Sequence, residues 1–141
     1  MSKSPPIDLD VNTSVLLIGA DPRAVPDIIG GESSTVEART LILDEETQKL
    51  NFPGMTTTVC LIWRDGSSVP DLSELLDHAY DCVAIGRGLR ILVEFNDAFN
   101  RVTSLVHAKA HGTPLFYPPT YRNMGEEIIA EVERLTGRQL R

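Results

Sequence analysis

No apolar run in this 141-residue chain approaches the roughly 18 residues that a membrane-spanning helix needs. The opening Met1-Ser2-Lys3-Ser4-Pro5-Pro6 has no apolar stretch of the kind a secretory leader requires, so a cytoplasmic setting without membrane contact is expected. Basic residues are scarce. Thirteen lysines and arginines against 20 acids leave a formal charge of −7. That balance excludes general nucleic-acid binding, which draws on a basic surface, while leaving room for a local basic pocket. Only two cysteines occur, Cys60 and Cys82, each inside an apolar run. They read as two core thiols near the starts of adjacent strands rather than a disulfide framework. A Walker A loop and a G-x-G-x-x-G turn are both absent, and no cofactor is expected.

What is present is organised. Cys82-Val83-Ala84-Ile85 breaks at Gly86-Arg87-Gly88, an amphipathic segment follows, and Gly112-Thr113-Pro114 opens Leu115-Phe116-Tyr117. Strand, glycine turn, helix, glycine and strand is the pattern of a parallel crossover. Further strands are expected at 14–18, 39–43 and 57–63, with Asp44-Glu45-Glu46-Thr47 as a turn. Residues 49–52 are either a sixth, hairpin strand or a loop. Pro26 to Ile29 has room for one helical turn before Gly30-Gly31. Leu72, Leu75, Leu76 and Ala79 place a helix on residues 71–80, and Met124, Ile128, Val132 and Leu135 place another ahead of Gly137. Between them, Leu92, Phe95, Phe99, Val102 and Val106 predict a helix from about Leu89. A strand over 90–95 with a shorter helix capped by Asn96 is the alternative.

Residues 1–13 therefore read as a flexible arm, and 14–141 as one α/β domain. The expected architecture is a three-layer Rossmann-like or flavodoxin-like sandwich. Its sheet is mostly parallel, with about five strands and helices on both faces.

In such sheets, ligands collect beyond the C-terminal strand ends. Three loops there share a glycine and an arginine: Gly19-Ala20-Asp21-Pro22-Arg23, Arg64-Asp65-Gly66-Ser67-Ser68 and Gly86-Arg87-Gly88. Glycine lets backbone approach a ligand, arginine forks onto phosphate or carboxylate, and a helix beginning behind Gly88 adds backbone donors. The candidate ligand-binding residues are Gly19, Asp21, Arg23, Arg64, Asp65, Ser67, Gly86, Arg87 and Gly88.

Asp21 and Asp65 are expected on neighbouring strand ends. An acid after the third strand resembles the phosphoacceptor of response-regulator receiver domains, although their acidic pair, hydroxyl residue and lysine are missing here. Ala108, Ala110, Gly112 and Pro114 resemble the helix tail of nucleoside 2-deoxyribosyltransferases and their relatives. That likeness implies a related binding fold, but Ser104 stands where the catalytic glutamate would be. His107 and His111 share a helical face without a third ligand, so no metal is expected.

Two functions follow. One is a non-catalytic interaction or assembly protein, with a partner or second copy meeting the helix near residues 89–111. The other is a binding domain or enzyme for a nucleotide-like or other anionic small molecule.

Overall fold

The computed structural model describes residues 12–25 and 35–140. Most of the expected arm, and the turn at Pro26 to Ile29, lie outside the described residues. Four strands form one sheet in the order β2-β1-β3-β4: β1 is Thr13–Ala20, β2 Met55–Ile62, β3 Cys82–Ile85 and β4 Leu115–Phe116. Every pairing is parallel, and the register runs from Thr13 opposite Met55 to Ala20 opposite Ile62. Val15, Leu16, Leu17 and Ile18 are all buried, as are all four residues of β3. Continuous apolar runs of this kind are what a parallel sheet covered on both faces requires.

The helices are α1 (Val36–Gln48), α2 (Val69–Leu75), α3 (Arg87–Ile91), α4 (Asn96–Lys109) and α5 (Met124–Thr136). Alternation along the strands divides the core. Leu16, Ile18, Val83 and Ile85 pack with Leu72, Leu89, Phe95 and Val102 of the α2–α4 side. Val15, Leu17, Cys82 and Ala84 pack with Leu43 of α1 and with Met124, Ile128 and Val132 of α5. Gly137 closes α5 in the left-handed conformation, φ 68°, as its position predicts.

The strand expected at 39–43 is instead the first half of α1, so the sheet has four strands among the described residues rather than five. Thr35 caps the helix by accepting from the Ala38 amide at 3.1 Å. The buried residues Arg39, Ile42, Leu43 and Glu46 then recur at helical spacing, while Leu41 is 59% exposed. The cluster 44–47 continues that helix rather than turning. No hairpin forms at 49–52; a single bridge joins Phe52 to Met55.

A close contact fixes α1 against α5. The buried Glu46 carboxylate accepts from the Gly125 amide at 2.8 Å and from Lys49 Nζ at 2.6 Å. A Cβ at Gly125 would lie 2.7 Å from the Glu46 carbonyl oxygen, so only glycine lets the two helices approach this closely.

Residues 89–91 and 93–95 are helical rather than a strand, but they are not part of one continuous helix. Leu92 is extended (φ −81°, ψ 123°), and a 3-10 turn, Val93–Phe95, precedes α4. The break lets Leu89 and Phe95 both enter the core, at the cost of exposing Ile91 and Val93. Helix α2 ends at Leu75, short of the predicted Tyr80. Along α4, Ala98, Val102 and Val106 are buried, whereas Asp97, Asn100, Ser104 and His107 face solvent.

The cysteines are not close together. Cys60 on β2 belongs to the core of the α2–α4 side, Cys82 on β3 to the other, and β1 runs between their strands. Strand alternation separates them across the sheet. Burial pushes the Cys60 thiol up to about 11 and Cys82 to about 12, from an ordinary 9.0. Burial likewise raises the Tyr121 phenol from 10.0 to about 12.

These shifts set a pH dependence. The unfolded chain ionises its thiols and phenol at their ordinary values, while the folded chain still holds the protons. Stability is therefore complete below pH 9 and is lost as pH climbs towards 11–12. Urea midpoints measured from neutral pH upward should fall across that window, and an unchanging midpoint would refute the assignment.

Candidate functional site

The chain passes from β1 outward to β2, then returns to place β3 on the other side of β1. This reversal is the topological switch point, where a crevice opens beyond the strand ends. A cavity of about 130 Å³ lies there. Gly19 and Ala20 at the end of β1, and Gly86, Arg87 and Gly88 after β3, line it together with Arg39, Leu43, Tyr121 and Met124.

The glycines bring the two strand ends together. The Gly86 amide donates to the Ile18 carbonyl at 2.8 Å. A Cβ at Gly88 would already touch Ala20 Cβ at 3.6 Å and Leu92 at 3.7 Å, so a larger side chain would grow into the crevice. The expected helix behind this loop has only five residues and starts at Arg87. Its short dipole adds little, and the side chains carry the argument.

Arg87 is exposed, at the mouth. Arg39 is buried, and its Nη2 donates to the Val25 carbonyl at 2.7 Å. Tyr121 braces it by donating its hydroxyl to the Arg39 carbonyl at 2.7 Å. With its phenol pushed up to about 12, Tyr121 stays a neutral donor at physiological pH. The remaining lining is aliphatic: Leu17, Val25, Leu43, Leu61, Ile91, Leu92 and Met124, with Pro22 and Ala20.

Of the nine candidates, Gly19, Gly86, Arg87 and Gly88 meet in this cavity. The others are held elsewhere. Asp21 is buried and accepts from the Arg23 amide at 3.0 Å, Nε at 3.1 Å and Nη2 at 2.7 Å. The Arg23 guanidinium holds its carboxyl below the usual range, and this pair caps the short 3-10 turn Pro22–Ala24. β1 and β2 do end side by side, with the Asp21 amide donating to the Ile62 carbonyl at 2.9 Å. Asp65, however, accepts from the Ser67 amide at 2.8 Å and shapes its own turn, where Gly66 (φ 77°) leaves room for the Arg101 guanidinium. Arg64, Asp65 and Ser67 are exposed and do not line the cavity.

Arg39 escaped the sequence reading because it fell inside an expected strand. Its spacing from Ile42, Leu43 and Glu46 is the signal that could have found it. Arg90 was also missed. Its Nη2 donates to the Pro118 carbonyl, and its guanidinium lies 5.3 Å from the centre of the Tyr117 ring. Burial first, and then the charge of nearby Arg87, lowers its pKa, so this corner of the strand-end edge is cationic.

His107 and His111 are exposed, and among the described residues no three His, Cys, Asp or Glu side chains form a group able to hold a metal. No described helix is long and apolar enough to cross a membrane. Comparison with protein-family models, curated proteins and solved structures matches none of them.

Proposed function

We propose that the chain is a binding domain for an anionic small molecule with an apolar body, on a three-layer, flavodoxin-like scaffold. The observation that carries this reading is the charge of the cavity. Both charged side chains among its described lining residues are arginines, Arg39 and Arg87, in a chain of net charge −7. No described lining residue is a carboxylate. Aliphatic walls suit the body of such a ligand, and a few convergent polar groups suit its orientation. The one other ionisable lining group, Tyr121, holds its proton too firmly to act as a base near neutral pH. The role is therefore retention rather than chemistry.

A thermal-shift series tests this with inorganic phosphate, nucleoside monophosphates, aryl carboxylates and the matching neutral nucleosides. Amphiphilic anions should raise the melting temperature, phosphate alone less, and neutral nucleosides not at all. No shift with any anion at millimolar concentration would reject the reading. Assembly through residues 89–111 would have to use Ile91 and Val93, which are 53% and 71% exposed, because α4 turns its apolar residues into the core.

A further inference from the structure

The outer edge of the sheet at β2 is unlike the usual edge of a monomer. Met55-Thr56-Thr57-Thr58-Val59-Cys60-Leu61-Ile62 has eight residues, no charge and no proline, and its register with β1 is unbroken. Edges are normally blunted by lysines, prolines, bulges or brevity, as β4 is by its two residues. Among the described residues, β2 has none of these protections beyond the single bridge from Phe52 to Met55.

The register fixes which groups point outward. The Thr13 amide donates to the Gly54 carbonyl and the Asp21 amide to the Ile62 carbonyl. Alternation between them turns the even-numbered backbone of β2 towards β1. The odd residues Thr57, Val59 and Leu61 therefore aim their N–H and C=O groups away from the sheet. Val59 is 38% exposed.

We infer that β2 pairs antiparallel with β2 of a second copy, about a dyad through Val59. Val59 then faces Val59 of the second copy, and Thr57 faces its Leu61. Each opposed pair exchanges two backbone hydrogen bonds, so all three outward residues of both strands are satisfied together.

An identical strand is the partner favoured by charge. The chain's net charge of −7 opposes self-association over most of its surface, but β2 contributes none of its 20 acids to such a contact. Within the paired strands no like charges meet. The product is a continuous eight-stranded sheet with both β2 edges paired.

Light scattering on the full chain should give twice the 15.5 kDa monomer mass at high micromolar concentration. Val59→Pro is the discriminating variant. The Val59 N–H points away from β1, so proline removes no bond within the monomer yet deletes two across the dyad. Val59→Lys puts a like-charged pair at the dyad without touching the backbone. Each should raise the dimer dissociation constant about tenfold or more, with the circular dichroism spectrum unchanged. If Val59→Pro fails to fold, Val59→Lys still decides the question. A wild-type chain that stays monomeric overturns the inference. So does a dimer that survives Val59→Lys, or a monomer that captures only an unrelated extended peptide. Leu61 is the one β2 residue that also lines the cavity, and neither variant alters it.

Discussion

Phe95→Ala is expected to lower the free energy of unfolding by about 3–5 kcal/mol. The ring is fully buried and packs in the cluster that includes Leu89, Ala98 and Val102. Truncation removes its transfer free energy and leaves a void that the sheet on one side and α4 on the other cannot both collapse to fill. Domains of this size are stable by only about 5–15 kcal/mol, so the urea midpoint should fall steeply. Val93→Ala is the matched control. Two residues away and 71% exposed, Val93 should shift stability by no more than about 0.5 kcal/mol. The contrast tests the burial of Phe95 beside the exposure of Val93. Equal losses for the two variants would contradict that arrangement.

Arg87→Glu is expected to weaken binding of whichever amphiphilic anion shifts the melting temperature by about 10- to 100-fold. A hydrogen bond to a charged group contributes about 1.5–3 kcal/mol, and reversing the sign adds repulsion at the cavity mouth. Fold stability should barely change, since the Arg87 side chain is exposed. Arg64→Glu makes the same change of net charge on a loop that does not line the cavity. It should reduce affinity only slightly, and that small effect should vanish with added salt. Equal losses from the two variants would mean that the general field of the protein, not the site, attracts the anion. Isothermal titration of each variant against the same ligand measures both effects.

Much of the site's backbone was legible from local chemistry. Gly19, Gly86 and Gly88 lie where apolar runs end, and such punctuation marks strand ends whatever surrounds it. Arg87 followed from the same loop. The Arg39 part of the lining was not legible. Arg39-Thr40-Leu41-Ile42-Leu43 is as suited to a strand as to a helix over five residues. The Thr35 cap and the burial of Glu46 beneath Gly125 decide between them, and the second of these is a contact across 79 positions. With α1 misread as a strand, neither Arg39 nor its bond to Tyr121 could be placed in the cavity. Arg23 and Asp65 failed for the opposite reason. Their loops were located correctly, but short-range hydrogen bonds to Asp21 and Ser67 hold them in their own turns.

Composition and periodicity alone thus determined the α/β class, the parallel strands β1 and β3, helix α5 with its glycine cap, and the glycine loops at the strand ends. Each depends on residues close together in the chain, where backbone sterics and the helical or strand period act directly. Tertiary structure alone decided that 39–43 is helical, that the thiols lie on opposite faces, and that two arginines 48 positions apart line one cavity. Those outcomes depend on which faces find a buried partner, and burial is a property of the assembled sheet and helices rather than of any local segment.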